Sequence, residues 1–269
     1  MNYKDRGRRV SRADPDRIEA VERAFFLLEQ FSPSHPTLTV SQAAQGVGTS
    51  RPTARRILLT LVRMGLAESD GAAYRLTPRV LRLGYAYLSS QPFWEHLDKP
   101  IRALADHLNE SCSAATLDGD EAVCVARAPG RRSMSEGVSI GSRIPAYASA
   151  IGRVLLAGLH DEQLDALLDG CTFEKFTPRT VTESERLRKL IARVRSDGFA
   201  VTDGEWEEGV RSGAVPIHDG RGQTIAALSV AVNAGRVSMA SLRSELVPEL
   251  LDAVKQIESS ITQHFPRVP

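Results

Sequence analysis

The chain has 269 residues, 42% of them hydrophobic and 25% charged, with a formal net charge of +1; this is the make-up of a soluble globular protein long enough for two domains. No apolar run reaches the roughly 18 residues a membrane span needs, and the charged start MNYKDRGRRVSRADPDR lacks the apolar core of a secretory signal. Cys112, Cys124 and Cys171 are an odd number at wide spacing, which fits reduced thiols better than a disulfide frame or a zinc site, so the expected location is the cytoplasm, with no membrane partner.

The small net charge hides an asymmetry. Residues 1–90 hold 14 Lys and Arg against 8 Asp and Glu, and the rest hold 20 against 25. A basic front on a mildly acidic body suits a nucleic-acid-binding head.

Residues 1–15 are polar and Arg-rich and are expected to form a disordered arm. Asp14 or Asp16 then caps a helix to about Phe31, with Ile18, Val21, Phe25, Leu28 and Phe31 at helical spacing. Thr39 and Gln42 make a capping box for a short helix over Val40–Val47, and Gly48 supplies the turn. Ser50 caps a second helix that tolerates Pro52 in its first turn. Ala54, Ile57, Leu58, Leu61 and Met64 form its inward face, while Arg51, Thr53, Arg55 and Arg56 crowd the outward side of its N-terminal half; Gly65 ends it. Asp70-Gly71 between two short extended runs predicts a hairpin, the wing of a winged helix-turn-helix, and Arg75 lies on it.

Thr77-Pro78 restarts a helix that is apolar over much of its girth, from Val80 to Leu88, and is expected to link the domains and pack on a partner chain. A second domain opens with a helix from about Phe93 to Leu108, where Pro100 threatens a kink. Strands are expected over Ser113–Leu117, Glu121–Ala126, Met134–Ile140, Phe199–Asp203, Ala214–His218 and Thr224–Val232. Helices are expected over Ala146–Leu159, Asp161–Leu168, Thr182–Ser196 with Thr182 as its cap, and Met239–Phe265. Helices flanking an antiparallel sheet make an α+β domain. The expected organisation is therefore an arm (1–15), a winged helix-turn-helix (16–77), a linker and dimerisation helix (78–91) and a ligand-binding domain (92–265).

A helix-turn-helix lays the start of its second helix in the DNA major groove, where arginine can pair with guanine O6 and N7. Ser50, Arg51, Thr53, Arg55 and Arg56 are the candidate DNA contacts, with Arg75 of the wing reaching backbone or minor groove. The plainer reading of the same residues is a solvated basic face on a helical hairpin. Enzyme motifs are missing: there is no G-x-S-x-G, Walker loop or H-E-x-x-H, and no cofactor fingerprint. Glu205, Glu207 and Glu208 read as a solvated turn before Gly209 rather than catalytic acids, and the scattered histidines form no metal site, so catalytic and metal residues are none. The cysteines read as buried neutral thiols before redox sensors. The stretch Gly141–Arg153 runs into a helix start where free N–H groups, Ser149 and Arg143 suit a carboxylate. It is equally a capped core helix with a small-residue face.

At that stretch a family resemblance appears. GSRIPAYASAIGRVLLAG and GFAVTDGEWEEGVRSGAVPIHDGRGQTIAALSVAVNAGRVS resemble the two signature regions of the IclR-type bacterial transcriptional regulators. With AVERAFFLLEQF, the helix-turn-helix and the wing, the resemblance spans roughly residues 17–263. LTVSQAAQGVGTSRPTARRILLTL and GDEAVCVARAPGRRSMS resemble the branch that controls protocatechuate, hydroxybenzoate and β-ketoadipate catabolism. The resemblance implies a winged-helix head, a dimerising linker helix and a GAF-like effector domain. It implies operator DNA as partner, self-association as dimer or tetramer, and a small organic, often aromatic, acid as effector, with repression or activation as the output. It places effector contacts on Ala150, Ile151, Thr202, Ser212, Ser229 and Ala231. Thr202 (sometimes acidic in the family), Ala231 (sometimes Ser) and the bulk of Ile151 point to a less polar ligand than a small keto acid. Thr49 replaces a usually apolar residue, which should weaken packing slightly. The alternative is a small-molecule-converting enzyme or carrier whose N-terminal domain only mediates interactions.

Overall fold

The computed structural model describes residues 16–90, 94, 96–131 and 138–264. The arm over 1–15, Asp14 and most of the strand expected over Met134–Ile140 lie outside them; 138–140 carry no strand. The chain divides into two compact units, Met1–Ser90 and Gln91–Pro269.

The first unit runs α1 (Glu19–Leu28), α2 (Val40–Val47), α3 (Arg51–Arg63), β1 (Ala67–Ser69), β2 (Tyr74–Leu76), a 3-10 turn (Pro78–Val80) and α4 (Leu81–Ser90). Helix α1 differs from expectation. It starts behind Ile18, which gives no side-chain cap, so Asp16 does not cap it; Glu19 and Glu22 in its first turn supply the favourable charge instead. It also ends at Leu28, before Phe31.

The local chemistry of α2 and α3 is followed closely. Thr39 and Gln42 form a reciprocal capping box, and Gly48 takes the left-handed conformation, φ 66°, that lets the chain turn between helices. Ser50 accepts the Thr53 N–H at 3.3 Å, and Pro52 occupies the first turn. Leu27, Ala43, Ala44, Ala54, Ile57, Leu58, Leu61, Ala67 and Tyr74 close one small core. Met64 does not join it: it is the C-cap and is 53% exposed. The wing is held to this core by Leu38, whose N–H and C=O both pair with Tyr74 at 2.9 Å. Thr49 finds a use for its hydroxyl, which accepts from Arg23 Nη1 at 3.2 Å.

The second unit contains α5 (Asp98–Leu108), β3 (Ser111–Asp118), β4 (Glu121–Ala128), β5 (Arg143–Pro145), α6 (Ala150–Ala157), α7 (Asp161–Gly170) and α8 (Ser184–Asp197). It continues through β6 (Ala200–Asp203), β7 (Val210–His218), β8 (Thr224–Asn233), the helical turn α9 (Met239–Ser241), a π segment (Leu242–Leu246) and α10 (Val247–His264). The strands form one antiparallel sheet in the order β5-β4-β3-β8-β7-β6.

Several boundaries move for physical reasons. Pro100 falls in the first turn of α5, where no intrahelical partner is lost, so no kink follows. Helix α6 begins at Ala150, because Ala146–Ala148 are tied elsewhere: Ala146 N–H donates to Asp120 C=O at 3.0 Å and Ala148 N–H to Pro145 C=O at 3.3 Å. Helix α8 is preceded by Glu183, not capped by Thr182.

The sheet is covered on both faces. Gly213 presents its bare Cα toward Leu242 and Val247, which places α10 and the π segment on one face together with α5. Helix α6, backed by α8, covers the other. Ala115, Ala200, Ala214 and Ala227 form its floor, and these short side chains let α6 lie close. Gly152 is part of the same fit: a Cβ there would come within 2.2 Å of the Ala146 Cα. Residues Ala150 to Leu156 are buried all round, so α6 is the core helix of the unit.

Candidate functional site

Two sets of side chains stand out, one in each unit. On α3 the buried stripe Ala54-Ile57-Leu58-Leu61 faces the core, and helical spacing therefore turns Arg51, Arg55 and Arg56 to solvent. Thr53 is half-buried and its hydroxyl lies 2.9 Å from Ser50 Oγ, so these two groups finish the helix start as a pair. The first-turn N–H groups and three exposed guanidinium groups give this end strong positive potential. Arg75 is different: its Nε donates to Glu68 Oε1 at 2.6 Å across the wing, at a register where the two residues face each other.

In the second unit the strand register assembles a strip on the α6 face. Residues directly opposite in antiparallel strands point to the same side. One rung runs Thr202–Ser212–Ala231–Ser111 across β6, β7, β8 and β3. The next runs Ala200–Ala214–Ser229–Ser113–Arg127 and reaches β4. Ala200 and Ala214 are buried under α6, and Thr202 and Ser111 are buried too, whereas Ser113, Ser212, Ser229, Ala231 and Arg127 are only half-buried. Thr202 Oγ1 and Ser212 Oγ lie 2.8 Å apart, and Ser229 Oγ donates to Ser113 C=O at 3.3 Å. Ala150 and Ile151 of the α6 N-terminal turn pack in the same cluster as Ala200, Ala214 and Ala227. Thus Thr202, Ser212, Ser229 and Ala231 leave one face of the sheet, and Ala150 and Ile151 of α6 pack on the alanines of that face.

Arg143 and Ser149 are not brought to it. Arg143 stands on β5 at the opposite edge from β6, with Glu121 Oε2 and Asp118 Oδ2 each 2.7 Å from its guanidinium. Two carboxylates hold its charge in this structure. Ser149 is buried with both its roles filled: it accepts from Gly152 N–H at 3.2 Å and donates to Pro145 C=O at 2.9 Å. Of the two readings left open for Gly141–Arg153, the capped core helix is what forms.

A buried ion pair braces this end of α6. Arg153 is bonded through both Nη atoms to the Glu205 carboxylate, by 2.8 Å from Nη1 to Oε1 and a shorter contact from Nη2 to Oε2, and its Nε donates to Tyr147 C=O at 2.9 Å. Glu205 is therefore a structural partner. The 204–205 backbone is itself gripped: Thr177 and Thr180 hydroxyls donate to Gly204 and Glu205 carbonyls at 2.6 Å.

Two of the three thiols are buried and kept neutral. Burial pushes the Cys112 thiol up to about 12 and also raises Cys124, so both are neutral near pH 7. Among the described residues no group of three His, Cys, Asp or Glu could hold a metal ion, and no helix is long and apolar enough to cross a membrane. Sequence reading missed Ser111, Ser113 and Arg127. The alternation of serines in β3 was the available signal, but only long-range pairing with β8 gives it a direction.

Both units match one family in order. Residues 20–71 match the IclR helix-turn-helix domain, and residues 85–259 match the bacterial transcriptional regulator IclR C-terminal domain. The chain is 38% identical over 245 residues to the Pca regulon regulatory protein of Pseudomonas putida, covering 91% of this chain and 84% of that one. It is 30% identical over 251 residues to the p-hydroxybenzoate hydroxylase transcriptional activator of Acinetobacter baylyi, covering 91% and 93%. The crystal structure of a Rhodococcus sp. RHA1 protein described as a transcriptional regulator superposes with a TM-score of 0.81 at 40% identity, covering 92% of this chain and all of that one. A DNA-reading head followed by an α+β effector domain, each matched to its own family model, identifies this chain as a member of the IclR family of bacterial transcriptional regulators.

Proposed function

We propose that this regulator reads its operator with α3 and senses a small aromatic acid on the hydroxyl-lined strip beneath α6. The observation that carries the reading is the double rung of Thr202, Ser212, Ser229 and Ser113, whose three serines are half-buried and whose threonine is buried, on a sheet face otherwise closed by alanines. Flat apolar floor with a few hydroxyls suits a ring bearing polar substituents, and suits a small keto acid less well. The Acinetobacter baylyi relative, named for p-hydroxybenzoate hydroxylase, supports the same ligand class and a role in aromatic-acid catabolism.

On the DNA side, Arg51, Arg55 and Arg56 contact base edges and phosphates, Ser50 and Thr53 hold the helix start against a phosphate, and Arg75 exchanges Glu68 for the DNA backbone. Two heads act together. Helix α4 has no buried residue, and Leu81 and Tyr85 are 75% and 71% exposed, an apolar surface that a second copy would cover in a homodimer or a pair of dimers. The working place is the cytoplasm, where operator and catabolic intermediates meet. Effector binding changes operator affinity to the extent that the acid prefers one of two arrangements of the paired heads.

The test is binding of the purified full chain to its own upstream DNA across a salt series, with and without 4-hydroxybenzoate, protocatechuate or β-ketoadipate. Salt-dependent, sequence-preferring binding that at least one acid shifts is the expected result. Binding that does not distinguish upstream DNA from random DNA would remove the regulator's operator, and turnover of an acid by the protein would favour an enzyme instead.

A further inference from the structure

One covalent path joins the two units. Helix α4 ends at Ser90 and the second unit begins at Gln91, so the chain enters the second unit straight from α4. Residues 81–87 of α4 are all exposed, so the head holds this helix at its first turn rather than along its length. That turn is tied to the end of the reading helix. Helix α3 closes on Gly65 in the left-handed conformation, φ 71°. Gly65 N–H donates to Val62 C=O and Leu66 N–H to Leu61 C=O, each at 2.9 Å, which satisfies two of the last carbonyls of α3. The Gly65 carbonyl lies beyond this closure and accepts the Thr77 hydroxyl. Thr77 N–H donates to Leu66 C=O at 3.0 Å. The same Thr77 oxygen accepts Arg79 N–H at 3.3 Å, capping the 3-10 turn that leads into α4. Arg79 completes the joint. A Cβ added to Gly65 would lie 3.0 Å from its Nη1, so the guanidinium end rests against the bare Cα, at the negative end of the α3 dipole.

We infer that Thr77 and Arg79 are positioning residues that couple the effector domain to the reading helix. They fix the start of α4 to the end of α3, so that a tilt of α4 becomes a tilt of Arg51, Arg55 and Arg56 against DNA. The inference rests on the effector-controlled operator binding proposed above and goes beyond it by naming the joint through which control passes. Two features make the joint stiff. Thr77 alone serves both helices, donating to the end of one and capping the start of the other, and its branched side chain has few rotamers in which to do so. Its main-chain bond to Leu66 continues the wing ladder from the Ala67–Leu76 pair, so a slip there would break the wing as well. A loose joint would let α4 swing while the head stayed in place, and the acid would then have no purchase on operator affinity. The lever is long enough. Helix α3 has 13 residues and is about 20 Å long, so a tilt of about 10° at Gly65 moves Arg51 by about 3 Å, more than a base-edge hydrogen bond tolerates.

The test measures operator affinity of the full chain with and without saturating 4-hydroxybenzoate, and 4-hydroxybenzoate affinity with and without operator. Coupling is reciprocal, so both ratios give one factor, which in wild type should lie at about five to a hundred. Thr77→Val and Arg79→Gln should each lower it, and together should bring it to within about twofold of one, with operator affinity in the absence of acid and acid affinity in the absence of operator each within about threefold of wild type. Thr77→Ser retains the hydroxyl and should retain the factor. Arg79 is exposed, so Arg79→Gln carries the test by itself if Thr77→Val lowers the thermal midpoint. A purely structural role would lower the midpoint or both affinities and leave the factor alone. The inference is overturned if the double variant keeps the wild-type factor, or if Arg79→Gln weakens operator binding equally with and without acid. If neither 4-hydroxybenzoate nor protocatechuate nor β-ketoadipate changes the operator affinity of wild type, the effector reading itself fails, and the joint has nothing to transmit.

Discussion

The head and the body solve recognition in opposite ways. In the head, the groups proposed to read DNA stand outside a small core: Arg51, Arg55 and Arg56 are exposed, and the helix beneath them is held by Ala54, Ile57, Leu58 and Leu61. In the body, the groups proposed to read the effector stand inside: serines and a threonine sit on strand positions of the face that α6 covers. A polyanion is large, rigid and already charged, so it is met by charge on a surface. A small acid must be surrounded and oriented, so it is met by short polar side chains at fixed spacing. The difference teaches where each unit is vulnerable. Damage to the head's reading groups should spare its fold, whereas in the body the supports of the strip are also supports of the fold.

The sharpest way to break that contrast is at the Arg153–Glu205 pair. Glu205→Ala leaves Arg153 buried without its carboxylate and should lower stability by about 3–5 kcal/mol. Urea unfolding should show this directly, and the double change Arg153→Met with Glu205→Met should recover most of it. A loss below about 1 kcal/mol would mean that the pair does not brace α6.

Next in size is Arg56→Ala. Operator affinity should fall by about 1–3 kcal/mol with no change in thermal midpoint, because the side chain is exposed and packs nothing. Fluorescence anisotropy and a melting curve on the same sample decide it; loss of fold together with DNA binding would show that the head is not a surface reader of this kind.

Ser229→Ala should cost about 1 kcal/mol of effector affinity and leave operator affinity in the absence of effector unchanged. An equal loss of both would place Ser229 in the fold rather than the ligand contact. The smallest effect is expected at Glu68→Ala. The Glu68–Arg75 pair is exposed, so stability should move by less than about 0.5 kcal/mol. Operator affinity should rise slightly at low salt, since Arg75 is released and a carboxylate that repels phosphate is gone.

How much of this was legible in the chain differs between the two units for the same reason that their sites differ. The head is written in local chemistry. Thr39 with Gln42, Gly48, Ser50 with Pro52, and Asp70-Gly71 each act within four residues, and each appears as the sequence reading requires; Asp70 Oδ1 even accepts both the Ala72 and Ala73 N–H groups that shape the wing turn. The body is written in register. Ser113 meets Ser229 across 116 positions, and nothing near either residue says so. The α6 start was misplaced because Ala146–Ala148 have helical composition but are bound by Asp120 and Pro145. The two carboxylate partners of Arg143 lie more than twenty residues upstream, so its ion pairs were not legible locally. Of the candidate positions taken from the family signatures, Thr202, Ser212, Ser229 and Ala231 leave one sheet face, and only the strand register brings them together.

The rung arrangement has a further consequence for how such a protein can change over generations. Every residue on the strip is held in place by main-chain pairing that its own side chain does not contribute to. Exchanging serine for alanine, threonine or cysteine at 113, 212 or 229, or alanine for serine at 231, therefore alters the surface shown to a ligand without removing the main-chain ladder that positions it. On the proposed reading, such a site can drift among related acids by single steps tolerated by the scaffold, while the alanine floor and the close fit of Gly152 in α6 against Ala146 leave far less room for change.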